Sequence, residues 1–478
     1  MVSRFLALLS LSLTSLALVA SAQDYRPSGE RPPTPAREFR GAWAAVVYNI
    51  DWPSKPGLSA GQQQAEMRAI LDRMSSLNMN ALILQVRPHS DAVYNSRYEP
   101  WSPWLTGTMG QSPGYDPLSY AVQQAHARGI EVHAWFNPFR ALSNANQPAS
   151  ANHVTQVSPH ITKRYGSLVW CDPAAQETRG RAFAAILDVV QRYDVDGVHL
   201  DDYFYPYPDK GLVFPDGRDP ATRRKIVDDF VEKLYSDVKR AKPWVRVGIS
   251  PFGIWRPGVP AGIEAGIDCY EQTGCDARKW LSQGWVDYLA PQLYWRDQPA
   301  KQSFSTLLNW WRQQGSRPVW PGIATSRIGG SEDPGRPASE ITKQVEYSRK
   351  IGRNWAGQIH WSVKALLQNR GGISNLLAKG AYAQPALVPP MTWLSQRTPN
   401  RPLVSASSSG SGVHLSLQTE DPSTSRYAIQ GRFGKQWVMM KVISSGARTA
   451  DLNGTPDALS ISSVDRFGNL STPVVLAR

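Results

Sequence analysis

Residues 195–207 have the sequence VDGVHLDDYFYPY, and this stretch decides the predicted fold. It begins as an apolar run of the kind that forms buried strands. It ends in polar and aromatic residues, with Asp201 and Asp202 side by side where the apolar run stops. In a barrel of alternating strands and helices, catalytic groups lie at the carboxyl ends of the strands. The stretch therefore predicts a barrel strand with chemistry at its end, provided that the rest of the chain supplies a barrel.

Short β-branched and aromatic runs alternate with longer amphipathic stretches on both sides of this strand. The alternation predicts parallel strands joined by crossover helices. We predict the strands at 40–50, 81–87, 130–136, 195–207, 245–249, 286–289, 319–324 and 357–361. Eight such units give an α/β fold, a (β/α)8 TIM barrel with long βα loops over 39–385. A doubly wound open sheet is the alternative, but no glycine-rich phosphate loop supports it.

The two ends of the chain depart from this rhythm. Residues 1–22 combine Arg4, an apolar run and a small-residue end, which is typical of a cleaved signal peptide; a membrane anchor is the alternative. Residues 23–38 are rich in proline and charge and are predicted to be a linker. Residues 386–478 carry short alternating runs, which predict a small C-terminal all-β domain, a sandwich that resembles fibronectin type III modules. Such a domain would contact a polymer or act as a spacer.

Charge and composition narrow the class of partner. The formal net charge is +13, which in an exported protein favours an anionic polymer such as a cell-wall glycan. No Lys/Arg block or nucleic-acid motif occurs, and no later stretch is long and apolar enough to span a membrane. The 18 Trp residues suit stacking on sugar rings as well as core packing. Of the three cysteines, Cys269 and Cys275 could close a small disulfide loop, which would leave Cys171 unpaired.

Carboxylate, amide and aromatic side chains recur at or near the predicted strand ends, and this combination suits glycoside chemistry. A carboxylic acid protonates the leaving group, aromatic rings stack on the sugars, and amides and guanidinium groups bind hydroxyls or acidic substituents. The catalytic candidates are Asp201 and Asp202. The substrate-binding candidates are Arg87, Glu99, Trp101, His133, Trp135, Asn137, His199, Tyr203, Trp255, Gln292, Tyr294, Trp295 and His360.

The period-2 alternation of a strand separates the two catalytic candidates. The odd-numbered residues from His199 to Tyr203 share one face, and Asp202 lies on the other face with Val198 and Leu200. Asp201 should therefore point into the barrel mouth, although both carboxylates stay open as the acid. The second catalytic group also stays open, and Glu99, Asp91 and Asp297 lie in suitable loops.

His133 and His199 on neighbouring strands could form a metal site with Asp201. Core or substrate-binding histidines are the better interpretation, because the sequence shows no compact cluster of metal ligands. We therefore expect neither a metal nor a cofactor.

Seven motifs occur in order and resemble those of the bacterial family-10-like glycosyl hydrolases. They are FRGAW (39–43), LQVRP (84–88), YEPWS (98–102), HAWFNP (133–138), DGVHLDDY (196–203), GISPFGIWR (248–256) and APQLYW (290–295). The resemblance covers about 37–379 and implies a (β/α)8 barrel and glycosidase activity. The family includes the DigH-type envelope enzymes, which cleave peptidoglycan glycan strands freed of stem peptides. Asp201 and Asp202 carry over as catalytic candidates.

The chain departs from its relatives at two points. It lacks the lipobox cysteine of DigH-type lipoproteins, so their membrane anchor does not carry over. Strand 195–207 is also similar to the chitinase pattern DGxDxDxE, with His199 at the middle aspartate and Tyr203 in place of the glutamate acid. That replacement argues against the substrate-assisted chitinase mechanism and leaves Asp201 or Asp202 as the acid.

These observations predict an exported glycoside hydrolase, periplasmic or secreted, that cleaves bacterial cell-wall glycan in the form of peptide-free peptidoglycan strands. Removal of the peptide exposes the lactyl carboxylate of the muramyl sugar, which Arg87 or Arg140 near the barrel mouth could bind. The alternatives are a glycosidase of another exported polysaccharide and a non-catalytic glycan-binding protein. Nucleic acid is not expected as a partner.

Overall fold

The computed structural model describes residues 25–209 and 211–478, so the predicted signal peptide lies outside the described residues. Its largest sheet has eight parallel strands, which we number barrel strands 1 to 8 in chain order. They are Phe39–Ala44, Ala81–Arg87, Glu131–Phe136, Gly197–Leu200, Arg246–Ile249, Tyr288–Leu289, Gly322–Ile323 and Gly357–His360. The strands lie in the order 6-5-4-3-2-1-8-7.

The sheet curls so that its two end strands meet. Parallel bridges join Leu289 to Val319 and Gln292 to Gly322, at barrel strands 6 and 7. Neighbours in the sheet are therefore neighbours in the sequence, as in a barrel built from successive strand–helix units. The fold is mixed α/β with a TIM-barrel-like parallel sheet, and at this level the predicted fold class is confirmed.

Helices follow the strands and cover the outside of the sheet. The longer ones are Ala60–Ser76, Pro117–His126, Gln176–Arg192, Pro220–Ala241, Ala277–Gln283, Phe304–Arg312, Ala338–Gly352 and Ile373–Lys379; the shorter ones are Pro103–Thr106, Val154–Val157, Cys269–Gln272 and Val363–Leu367. Local chemistry sets several starts. Ser59 and Gln62 form a capping box, and Asp116 and Asp219 accept backbone N–H groups ahead of a proline at the first helical turn.

Alternation along the strands divides the barrel core into two layers. In barrel strand 4, Val198 and Leu200 pack outward under the helices, and His199 points into the interior. The interior is filled by Phe39, Trp43, Ala45, Ala81, Ile83, Trp135, Tyr288, Ala290, Trp320 and Ile359. Two glycines make room for these rings. A Cβ at Gly197 would lie 2.6 Å from His133, and a Cβ at Gly248 would lie 2.0 Å from Tyr288.

The C-terminal part is formed by two antiparallel sheets around their own core. One sheet contains Leu403–Ser409, Gly412–Gln418 and Thr449–Asn453, and the other contains Thr424–Phe433, Gln436–Ser444, Ala458–Asp465 and Val474–Ala477. The predicted linker differs from expectation because Arg26–Pro27 forms an extra edge strand on Val474–Ala477. Tyr25 is fully buried in this core. The segment is ordered because the Tyr25 ring is buried and because the following residues pair with the edge strand Val474–Ala477 of the sheet.

The C-terminal domain contacts the amino ends of the barrel strands. Arg426 bonds Asp196 at 3.0 Å and Glu131 at 3.4 Å, and Arg466 bonds Asp194 at 2.6 Å. Asp196 and Glu131 lie at the starts of barrel strands 4 and 3, whereas Asp201 follows the end of strand 4. The C-terminal domain is therefore attached at the end of the barrel that faces away from Asp201.

The structure decides a cysteine pairing that the sequence leaves open. Cys171, Cys269 and Cys275 are all free and buried, so the disulfide considered between Cys269 and Cys275 is absent. The backbone closes this turn instead, because the N–H of Cys275 donates to the carbonyl of Cys269 at 3.1 Å. Both thiols pack in the outer core.

The long excursion after barrel strand 3 folds into a small antiparallel sheet of Arg140–Leu142, Thr162–Tyr165 and Leu168–Cys171. Arg140, which opens this sheet, follows the carboxyl end of strand 3 and so lies at the barrel mouth. Across 25–209 and 211–478, no helix is both long and apolar enough to cross a membrane.

Candidate active site

A cavity of about 360 Å³ opens at the carboxyl ends of the barrel strands. Five of the predicted site residues line it, namely Trp135, Asp201, Tyr203, Gln292 and Tyr294. Its walls also include Trp43, Val47, Tyr48, Ile50, Gln85, Arg140, Ser250, Ala324, Ser326, Arg327, Glu332 and Trp361. A larger hollow of about 790 Å³ lies in the C-terminal domain. The described residues that line it include Arg448, Gln418 and Tyr427 beside hydroxyl and aliphatic groups, but no carboxylate. The cavity over the barrel is therefore the candidate active site.

Asp201 is held by a chain of amides. Asn137 donates its Nδ2 to both carboxylate oxygens of Asp201, at 2.8 and 2.7 Å. The Oδ1 of Asn137 accepts from Gln85 at 2.8 Å, and Gln85 accepts the backbone N–H groups of Val46 and Val47 at 2.9 Å. Each amide is therefore fixed in orientation by the next, and the carboxylate faces the cavity in one defined position.

Asp202 lies behind this wall. It is fully buried, accepts the Tyr207 hydroxyl, and accepts the Gln292 amide at 3.3 Å. Burial, together with the neighbouring charge of Asp201, raises the pKa of Asp202 to about 7. The strand alternation therefore assigns the two carboxylates to different environments, with Asp201 on the cavity and Asp202 in a hydrogen-bonded pocket beside it.

Burial also raises the pKa of Asp201, which is only 6% exposed, and the charge of Arg140 and the Asn137 hydrogen bonds oppose that shift. The Arg140 guanidinium stacks 3.6 Å from the centre of the Tyr203 ring. Its Nε is buried and has no hydrogen-bond partner. Arg140 thus supplies an unused donor and a positive charge on the wall that holds Asp201.

Indole rings form the inner end of the cavity. Trp361 meets Trp43 and Trp135 edge-on, with ring centres 6.1 and 6.2 Å away. The Nε1 of Trp135 is buried and is directed at Asp201, where it helps to lower the pKa of the carboxyl group against the effect of burial. The flat apolar faces of these rings suit the C–H faces of sugar rings.

The two predicted histidines, His133 and His199, lie beneath the indole rings, inside the barrel, and do not line the cavity. The Trp43 indole donates to Nε2 of His199 at 3.2 Å, and Nδ1 of His199 meets the Tyr288 hydroxyl at 3.0 Å. That hydroxyl also meets Nδ1 of His133 at 2.8 Å. Burial lowers the pKa of His199 well below its usual value, so the ring is neutral. A neutral ring accepts the Trp43 N–H with one nitrogen and bonds the Tyr288 hydroxyl with the other. The histidines orient Trp43 and lie out of reach of a molecule in the cavity.

Arg87 and Glu99 lie near the strand ends, as predicted, but they bind each other and the neighbouring backbone and do not line the cavity. Arg87 is buried and donates its Nε to both oxygens of Glu99, at 2.9 and 2.8 Å. Its Nη1 donates to the carbonyls of Asn137 and Pro138. The pair fixes the segment that carries Asn137, and a bulge at Gln85 to Arg87 turns Arg87 away from the cavity. Trp101 packs on the outer core nearby.

Three further predicted residues lie off the cavity wall. His360 is fully buried on the helix side of barrel strand 8, between Thr325 at 2.7 Å and Tyr382 at 2.9 Å. Trp255 stacks on Trp310 in a separate surface cavity. Trp295 lines another cavity that adjoins the candidate active site.

The carboxylates considered as second groups also lie elsewhere. Asp91 is fully buried and bonded to the N–H of His89, and Asp297 accepts the hydroxyl of Ser303 at a helix start. The second carboxylate on the cavity wall is Glu332, which pairs with Arg327 at 3.0 Å. It comes from the loop after barrel strand 7, where no motif marked it.

Two wall residues outside the list of site candidates also follow from alternation. Gln85 continues the inward face that Ala81 and Ile83 begin, and Trp361 follows the inward Ile359 by two positions. Counting alternate residues from the apolar ones would have found both. In the described part of the chain, no group of three His, Cys, Asp or Glu side chains is close enough to hold a metal ion.

A buried carboxylate beside aromatic rings at the open end of a TIM-like barrel is typical of glycoside hydrolases. The family model described as "Glycosyl hydrolase-like 10" matches residues 38–331, which is more than half of the chain. The chain belongs to this family and is a glycoside hydrolase. The family resemblance predicted from the seven motifs is thereby confirmed.

Curated relatives of the chain are named as glycosyl hydrolases. The chain is 37% identical over 428 residues to glycosyl hydrolase YngK of Bacillus subtilis (strain 168), covering 84% of each chain. It is 33% identical over 321 residues to glycosyl hydrolase DigH of Escherichia coli (strain K12), covering 60% of this chain and 73% of DigH.

The solved structures that match the chain are more distant in sequence. The PgaB (BpsB) glycoside hydrolase domain from Bordetella bronchiseptica has 13% identity and a TM-score of 0.46, covering 72% of this chain and 98% of that one. The endo-1,4-beta-mannanase from Rhizomucor miehei has 11% identity and a TM-score of 0.47, covering 74% and 99%.

Proposed function

We propose that this glycoside hydrolase cleaves peptide-free peptidoglycan strands of the bacterial cell wall by carboxylate acid catalysis. The observation that carries the proposal is Asp201, a buried carboxylate fixed by Asn137 on the wall of a cavity with indole rings and Arg140. Trp135 and Trp361 offer faces on which sugar rings stack, and Gln292 and Tyr294 offer polar contacts.

Asp201 is the proposed general acid because it is the member of the Asp201–Asp202 pair that lines the cavity. Its proton passes to the glycosidic oxygen, the bond to the anomeric carbon breaks, and water supplies the new hydroxyl there. The proton that this water loses restores the carboxyl group of Asp201. A low-polarity site keeps a carboxylic acid protonated towards neutral pH, which is the direction of the pKa shift at Asp201. Asp202 supports Asp201 from behind through the hydrogen bonds that it accepts from Tyr207 and Gln292.

The choice of an acidic glycan rests on charge. Peptide-free strands carry a lactyl carboxylate on each muramyl sugar, and Arg140 offers a buried Nε without a partner on the cavity wall. A guanidinium binds a carboxylate with more than one N–H, which gives direction as well as attraction. The net charge of +13 favours approach to the same polymer.

We also propose that the chain is exported and works in the periplasm or outside the cell, on the basis of the signal-like sequence at 1–22. The C-terminal domain is proposed to be fibronectin type III-like. Its sheets of three and four strands, with one added N-terminal strand, support that interpretation.

A panel of polymers tests the substrate. Purified protein is incubated with peptide-free glycan strands, with the same strands after chemical reduction of the lactyl carboxylates, with peptide-bearing sacculi and with a neutral exported polysaccharide. New reducing ends are then counted. We expect the fastest release from the peptide-free strands and slower release after carboxylate reduction. No release from those strands, or faster release from the neutral polysaccharide, would reject the proposed substrate.

A further inference from the structure

A second cavity, of about 350 Å³, adjoins the candidate active site. Arg327 and Glu332 line both cavities, so this ion pair forms the partition between them. A polymer that fills the first cavity would therefore pass this pair to reach the second.

The segment after barrel strand 6 contributes one aromatic ring to each cavity. Tyr294 lines the first cavity, and its neighbour Trp295 lines the second. Trp295 is half-buried and is held edge-on by Phe252, with ring centres 5.6 Å apart. Successive flat rings along one path are a common means of holding successive units of a sugar chain, because each ring supplies an apolar face.

Positive charge exceeds negative charge around the second cavity. Its guanidinium groups belong to Arg296, Arg327 and Arg336, and its carboxylates belong to Asp333 and Glu332. Arg296 and Arg336 share Asp333, at 2.6 Å each. The side chain of Arg336 is almost wholly buried, and its Nη1 has no hydrogen-bond partner. Asp333 and Glu332 neutralise only part of the positive charge of the three arginines, so an anion bound in this cavity would be attracted by the remainder.

We propose that the second cavity is a subsite for a further acidic sugar of the same glycan chain, with Trp295 stacking on the ring. Arg296 binds Asp333 with its Nε and Nη2, and its Nη1 donates to the carboxylate of the sugar. This inference rests on the proposed function, because it extends the polymer from the cavity of Asp201. With this subsite, the enzyme recognises several acidic sugars in a row. Its affinity for a glycan increases when the glycan is long enough to extend past Arg327 and Glu332.

The test measures binding separately from cleavage. Full-length protein with Asp201→Asn is titrated calorimetrically with a peptide-free disaccharide and with a peptide-free tetrasaccharide, each containing muramic acid. We expect the tetrasaccharide to bind about tenfold more tightly, which corresponds to one added stacking and carboxylate contact. Adding Trp295→Ala and Arg296→Gln should remove that difference and leave disaccharide binding unchanged. The matched control adds Trp255→Ala and Arg278→Gln, which remove the same side-chain types from the separate cavity.

Equal affinity for both oligosaccharides, no binding of either, or an equal loss in the control would overturn the subsite. Cleavage by the unmodified protein is scored separately. If the peptide-free strands are cleaved but the length dependence is absent, the subsite is wrong and the proposed function stands. If the length dependence is present but no strand is cleaved, the subsite stands and the proposed function is wrong.

Discussion

Asn137 offers a way to shift the titration of Asp201 without touching its carboxyl group. The Asn137→Ala substitution removes the Nδ2 donor that lies 2.8 and 2.7 Å from the Asp201 oxygens. That donor stabilises the ionised carboxylate, so its loss must raise the pKa of Asp201 further above the ordinary value. If Asp201 is the acid, the pH above which activity falls moves upward.

The size of the shift follows from the strength of the lost bond. A hydrogen bond to a charged group contributes about 1.5–3 kcal/mol, and one pKa unit corresponds to about 1.36 kcal/mol. Water that enters the space left by the amide would replace part of the interaction, so we expect a shift of about one unit. The free energy of unfolding should fall by about 1–3 kcal/mol, because the Nε2 of Gln85 also loses its partner.

The assay is the pH profile of kcat/KM on peptide-free strands, whose upper limb reports the acid of the free enzyme. Asn80→Ala is the matched control, because Asn80 is a buried asparagine with three hydrogen bonds at the opposite end of the barrel. It should lower stability and leave the profile in place. A folded Asn137→Ala protein with an unmoved upper limb would refute Asp201 as the titrating acid.

Three further predictions concern other parts of the molecule. Arg140→Gln should raise KM for peptide-free strands about tenfold and leave it nearly unchanged for carboxylate-reduced strands; an equal rise on both would mean that Arg140 has a structural role. The buried cysteines should not react with a thiol reagent in the native state, and three thiols should react in denaturant; fewer than three would reveal a disulfide. Arg426→Gln should lower the free energy of unfolding at pH 7 by about 1.5–3 kcal/mol, the contribution of a hydrogen bond between charged groups, because Asp196 and Glu131 lose Arg426 and keep only His126 and Arg246 as cationic partners. The positive charges of His126 and Arg426 outweigh burial and hold the pKa of Asp196 below its usual value, so this difference should shrink below about pH 4, and a constant difference would contradict the pairing.

The strand pattern of the barrel could be predicted because apolar runs repeat at regular intervals. Ala81–Arg87 matches its predicted range, and the strands at 246–249 and 357–360 fall within theirs. Barrel strands 6 and 7 are shorter than predicted, at Tyr288–Leu289 and Gly322–Ile323, because only isolated bridges hold the two end strands together. Apolar content marks a buried run but does not reveal how many of its residues pair.

The candidate site was predictable where alternation applied and not elsewhere. Alternation places Asp201 on the cavity, and it would have excluded His360 and selected Trp361. It failed at Arg87 because a bulge changes the direction of the side chain there. Glu332 comes from a long loop, whose path depends on tertiary contacts such as its pairing with Arg327. The linker prediction missed the strand at Arg26–Pro27 because its partner lies about 450 residues later in the sequence.

The role of Asp201 is tested most directly by comparing the single substitutions Asp201→Asn and Asp202→Asn in single-turnover cleavage of peptide-free strands. A general acid contributes roughly 100- to 10,000-fold to the rate. We predict that Asp201→Asn loses a factor in this range while it still binds the strand, and that Asp202→Asn loses less. The assignment would be contradicted if a folded Asp201→Asn protein cleaved the strands at the wild-type rate, or if the two variants had equal rates.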